Sequence, residues 1–139
     1  MPQGFKYVYN DYGKDPTRIT EFLMTDSEAG FAGEAVKIVA GRVTKAGATD
    51  PIAGFLTSNV TAGVNKPTEI ILAREGDWYD TPYTGTPAAG FVPGVVGVVL
   101  ATDGLSANSA TVTGGQLSVL QVNTNKKVAR VKVKSRQFS

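Results

Sequence analysis

The sequence predicts an all-β fold: a single small barrel or sandwich of about nine or ten short strands, with an extended N-terminal arm. Two observations carry this prediction. Short apolar, β-branched runs recur roughly every 8–12 residues between turn formers. The 16 Gly and 7 Pro of the 139-residue chain punctuate those runs, and the four glycines from Gly33 to Gly54 argue against a helix there, since each costs about 1 kcal/mol in a helix interior.

Residues 1–18 read as an N-terminal arm or as the first strand of the domain. Phe5-Lys6-Tyr7-Val8-Tyr9 alternates aromatics with other residues, the period of a half-buried strand. Tyr12 follows among Gly4, Asn10, Gly13 and Pro16. Residues 19–139 read as one β-rich domain. Arg18–Thr25 is ambiguous, because Asp15-Pro16 could open a short helix, but its β-branched residues favour a strand. Ala35–Val39, a turn at Ala40-Gly41, Arg42–Lys45 and Ile52–Leu56 form the clearest succession. Glu69–Arg74 is a further strand. Residues 75–93 hold three prolines and three glycines and read as a long irregular loop. Val95–Leu100, a turn at Thr102-Asp103-Gly104, Thr111–Thr113, Gln116–Asn123 and Lys127–Lys134 complete the set. The stretch from Val95 loosely echoes the strand, glycine turn and returning strand of Val36–Val43, too weakly to mark a duplication.

Charge is unevenly placed. Up to Asp103 the chain carries eight basic and twelve acidic residues, a net of −4; beyond it six basic residues and no acid give +6. Those six are Lys126, Lys127, Arg130, Lys132, Lys134 and Arg136. Such asymmetry suggests a face for an acidic partner. Alternate basic residues on a terminal strand also protect a sheet edge. Nucleic acid is the weaker reading, because Phe138 is the sole aromatic beyond Phe91 and single-strand binders interleave stacking aromatics with their cations.

The chain has no Cys and no His. A thiolate nucleophile, a Ser-His-Asp arrangement and imidazole or thiolate metal ligation are therefore excluded, and the chain is read as no enzyme and as carrying no cofactor. Glu75, Asp77 and Asp80 resemble a cation loop only in their acids, without the spacing of a calcium loop, so no metal is expected; carboxylate hydrolysis through them is the weakest reading. Trp78, Tyr79 and Tyr83 could plug a barrel end, anchor a protein interface or stack on a sugar. The N-terminus lacks the basic flank and apolar core of a signal peptide. Phe91–Leu100 is too short and too interrupted to span a bilayer. These features predict a protein made in a cytoplasm and not inserted in a membrane.

The succession Gly33, Val36, Gly41, Val43, Lys45, Thr49-Asp50, Ile52, Gly54 and Phe55 resembles a segment of the capsid decoration, or cement, proteins of tailed bacteriophages. The stretch from Gly94 to Leu105 and the terminal strand Val128–Val133 suit the same group. The resemblance implies a β-rich domain, often a homotrimer, bound on the outer capsid surface of the virion at junctions of the major capsid protein. On that reading Phe5, Tyr7, Tyr9, Tyr12, Lys127, Arg130, Lys132, Lys134 and Arg136 are the expected contacts. The alternative is a carbohydrate-binding or adhesion module using Trp78, Tyr79 and Tyr83.

Overall fold

The computed structural model describes residues 4–138. Its strands are β1 (Lys6–Asn10), β2 (Arg18–Ile19), β3 (Leu23–Met24), β4 (Ala35–Val39), β5 (Arg42–Lys45), β6 (Gly54–Leu56), β7 (Ile70–Leu72), β8 (Asp77–Thr84), β9 (Val96–Leu100), β10 (Ala107–Asn108), β11 (Leu117–Asn123) and β12 (Val128–Val133). The prediction of an all-β fold holds. Five strands in the order β8-β10-β9-β11-β12 close into a barrel, because β12 also pairs with β8. The remaining strands, apart from β1, form an open sheet in the order β2-β7-β6-β4-β5-β3.

Of the two readings of the N-terminal segment, the structure takes the strand. β1 pairs antiparallel with β8, with a bulge between Tyr7 and Tyr9. Residues 1–3 lie outside the described residues.

The expected loop over residues 75–93 is corrected. Its first half is β8, eight residues long and alternately buried and half-exposed. Asp77 and Thr81 occupy inward positions and Pro82 lies within the run, so polar and proline residues mask the strand period. Pro82 is tolerated for a local reason. The Tyr83 amide donates to Lys127 O on the β12 side, so the nitrogen of Pro82 faces the opposite side. There β1 has ended at its pair with Asp80, and β10 begins only at Tyr83. No ladder donor is needed in that gap.

Two smaller corrections follow from pairing. Arg18–Thr25 is not one strand: β2 joins β7 at one edge of the open sheet and β3 joins β5 at the other, so the chain must cross between them. Thr111–Thr113 forms no strand, and the neighbouring strand is β10, which ends in a turn at Ser109-Ala110. Asn108 Oδ1 accepts the Ala110 amide at 3.0 Å and ends β10 in a side-chain-closed turn.

Ala40 and Gly41 have φ of 51° and 79°, the left-handed pair that a two-residue hairpin turn requires. The open sheet buries both faces, which explains its nearly continuous apolar runs. Ala35 and Phe55 pack into the core shared with the barrel, alongside Tyr79, Leu117 and Val131. Val36, Val43, Leu56 and Ile70 pack with Met24 into a second, smaller core. Gln116, fully buried, links barrel and sheet: its Nε2 donates to Gly47 O and Asp50 O at 3.1 and 3.0 Å, and its Oε1 accepts the Leu100 amide. The C-terminal segment crosses back onto the sheet, where Gln137 exchanges two side-chain hydrogen bonds of 2.8 Å with the backbone of Ile38.

Gly54 is fixed by crowding. A Cβ there would lie 2.3 Å from Ile71 O on the adjacent strand, and backbone cannot swing away as a side chain can. Gly54→Ala is expected to destabilise the chain by about 2–3 kcal/mol in urea denaturation, and an unchanged midpoint would refute the crowding argument.

Candidate functional site

The outward residues of β8, β1 and β12 build one continuous surface. Since side chains alternate along a strand, Trp78, Asp80 and Pro82 face out while Asp77, Tyr79, Thr81 and Tyr83 face in. On β12 the outward set is Val128, Arg130 and Lys132. Register places Asp80 between Lys6 on β1 and Arg130 on β12. Tyr9 lies across from Trp78.

The structure divides the expected aromatic platform. Tyr79 is buried in the core, where it contacts Phe55 at 4.5 Å between ring centroids; burial and the adjacent Asp77 carboxylate push its phenol pKa far up. Tyr83 is buried against Phe91 at 4.9 Å. Only Trp78 faces outward, and its surroundings are filled. Tyr9 stacks on it at 4.8 Å and 24°, the Lys132 ammonium sits 5.3 Å from its ring centroid, and its indole N–H donates to Asp11 Oδ1 at 2.6 Å. Tyr9 and Lys132 come from strands on opposite sides of β8, so they flank the indole from both sides. Among the expected N-terminal contacts, Phe5 is core, 4.7 Å from the Phe55 ring. Tyr7 is half-buried and donates its hydroxyl to Lys14 O. Tyr9 and Tyr12 are the exposed ones, at 43% and 72%.

Half of the basic tail is matched from within the chain. Arg130 makes a bidentate pair with Asp80, Nε to Oδ1 at 2.8 Å and Nη2 to Oδ2 at 3.2 Å. Lys132 pairs with Asp11, whose carboxyl is held below the ordinary range by that ammonium and then by Trp78. Arg136 donates to Val133 O at 2.7 Å and lies 4.0 Å from Glu75. Each acidic partner belongs to the net-negative part of the sequence. Among the described residues Lys126, Lys127 and Lys134 make no ion pair; all three are exposed. The polarity that the sequence displays is therefore reduced, on this face, to those lysines and Lys6.

Two concavities flank the start of β1, and sequence reasoning found neither, because their walls come from segments far apart in the chain. One is a polar groove of about 990 Å³ lined by Lys6, Asp80, Gln121, Asn123, Lys126 and Arg130 among others. The other is a mainly apolar cleft of about 1040 Å³ between β1 and the open sheet, whose lining includes Phe5, Phe31, Phe55, Leu56, Ile71 and Leu105. Gly4 and Lys6 line both.

A buried polar knot underlies this surface. Asp77, with no exposed side-chain area, accepts from Arg74 Nη2 at 2.9 Å and Asn10 Nδ2 at 2.8 Å on Oδ1, and from Arg74 Nε at 3.0 Å on Oδ2. Arg74 Nη1 reaches Thr17 Oγ1 at 3.1 Å. These donors satisfy the carboxylate, as a buried charge requires. The described residues contain no group of three His, Cys, Asp or Glu placed to hold a metal ion, and no helix long and apolar enough to cross a membrane. No protein-family model matches the chain, and no curated protein sequence matches it.

Removing the Asp77 charge strands Arg74 and Asn10. Asp77→Asn is expected to cost about 2–3 kcal/mol, read from thermal or urea unfolding; a loss below about 0.5 kcal/mol would show that the knot is dispensable. Two carboxyls set opposite pH trends. Lys37 and the Gly47 amide hold Asp50 below the ordinary range, so its contribution is full above the unfolded value and fades as pH falls through the depressed one. Burial raises Glu34 above its ordinary value, so it binds a proton more readily folded than unfolded, and stability declines as pH rises through that interval. Glu34→Gln, whose side-chain oxygen can still accept the Phe31 amide, is expected to flatten that decline in unfolding midpoints measured across pH 4–7; a parallel curve would exclude Glu34 as its source.

Proposed function

We propose that this chain is a structural protein that binds the outer surface of a bacteriophage capsid and stabilises the lattice of its major capsid protein, as a homotrimer on the virion. The observation that carries this reading is what the decoration-protein-like succession does in the fold. Gly33 approaches Gly4 so closely that a Cβ would meet its Cα at 2.7 Å. Gly41 makes the hairpin turn, and Gly54 admits the neighbouring strand. Val36 and Phe55 fill the two faces of the open sheet. The resembling residues thus specify a rigid small β-module, which suits a protein whose work is to hold others in place.

The physical mechanism is linkage. A domain that contacts several subunits at once, and only when they are assembled, adds its binding free energy to the lattice alone. Trimerisation makes each attachment multivalent and slow to release. The exposed lysines near β12, together with Lys6, give that attachment an electrostatic component toward acidic capsid patches.

Purified protein is expected to co-sediment with empty capsids of its phage and to raise their disruption temperature, with occupancy falling as salt is raised from about 50 to 500 mM. Absence from the pellet at low salt would overturn the assignment.

A further inference from the structure

We infer that the two concavities beside Lys6 form one docking track for an extended acidic segment of a protein partner, with a large apolar side chain of that segment seated in the cleft. The inference rests on the proposed capsid reading only for which protein supplies the segment.

Charge complementarity carries the choice of occupant. The lining of the apolar cleft includes Lys6 and Arg18 and no carboxylate, and Arg18 is held by Glu69 at 3.1 Å from outside the lining. The polar groove includes Lys6, Lys126 and Arg130 against one carboxylate, Asp80, which Arg130 already holds. Lys6 stands on the ridge between the two and, like Lys126, makes no ion pair among the described residues. A ligand lying across this ridge therefore meets two cations without counter-charge, Lys6 on the ridge itself and Lys126 on the polar side. Gln121 and Asn123 add side-chain donors and acceptors to the polar side.

The cleft is shaped before any ligand arrives. The Phe5 amide donates to Gly33 O at 2.9 Å, and the close approach of Gly4 to Gly33 fixes the ridge at its base. Phe5, Phe55 and Tyr79 form a contiguous ring cluster at 4.7 and 4.5 Å, and all three line the cleft. Phe31, 52% exposed, stands at its mouth. Preformed walls reduce the ordering cost of binding. An apolar anchor in such a pocket with charged contacts at the rim is the usual division between affinity and steering.

The test uses the full chain and a dye-labelled peptide of about ten residues, one central Phe flanked by Asp and Glu, followed by fluorescence anisotropy. Binding by the wild-type chain is expected to weaken about tenfold or more in the double variant Lys6→Gln/Lys126→Gln, and likewise in Ala32→Trp, which fills the cleft from an exposed lining position. The variant Lys127→Gln/Lys134→Gln removes the same charge away from both concavities and is expected to change affinity no more than about twofold. No binding by the wild-type chain, or equal losses in the two double variants, would overturn the inference. An unchanged far-ultraviolet circular dichroism spectrum and urea midpoint in each variant certify the fold. Capsid co-sedimentation separates the two readings: shells that bind wild type and Lys6→Gln/Lys126→Gln equally refute the track and leave the capsid role standing, whereas peptide binding without shell binding does the reverse.

Discussion

The arrangement of this molecule turns on one buried carboxylate. Asp77 opens β8 and lies where the open sheet hands the chain to the barrel. It gathers Arg74 from the connection out of β7 and Asn10 from the end of β1. Through Arg74 it also reaches Thr17, just before β2. Four segments thus meet at a charge that could not be buried without them. Its neighbour Tyr79 carries the Phe5–Phe55 ring cluster between the two sheets. The position of β1, and with it both concavities, follows from this junction.

The same geometry changes how the basic tail should be understood. Six cations at the end of a sequence suggest an electrostatic face, yet strand pairing brings Asp80 beside Arg130 and carries Asp11 to Lys132. Half-exposed pairs of this kind contribute little individually. Their structural effect is specificity of register, since a one-residue slip of β12 on β8 would turn Arg130 inward. The cations left over, not the whole run, are what a partner would meet.

Much of the fold was legible in the sequence because its strands obey simple grammar. Ala35–Val39 and Arg42–Lys45 are bounded by a turn whose residues require positive φ, and both segments form as the pattern indicates. β8 was hidden because its inward positions include Asp77 and Thr81, polar side chains whose burial depends on partners that no strand pattern announces: Arg74 and the distant Asn10 for Asp77, and the Pro82 carbonyl for Thr81. The split of Arg18–Thr25 depends on which edge each half joins, a tertiary fact without local signature. Trp78, Tyr79 and Tyr83 could be read as a platform only while residues 75–93 were a loop; a strand sends Trp78 to one face and the two tyrosines to the other. Lys6 gave no signal, because its importance arises from what lies on either side of β1.

Closure of the barrel by β8 and β12 sets the order in which the chain can acquire its structure. The strands β2 to β7 are contiguous, so the open sheet can form from a continuous stretch of chain. The barrel cannot: β8 can pair with β1 and β10 on one side, but its other edge lacks a partner until Val128–Val133 arrives. Pairings across such separations carry a loop-closure cost before they return any contact energy. During synthesis the ring therefore exists first as an unclosed ribbon whose β8 edge is unsatisfied, and a prematurely released chain ending before β12 would present that edge to its neighbours.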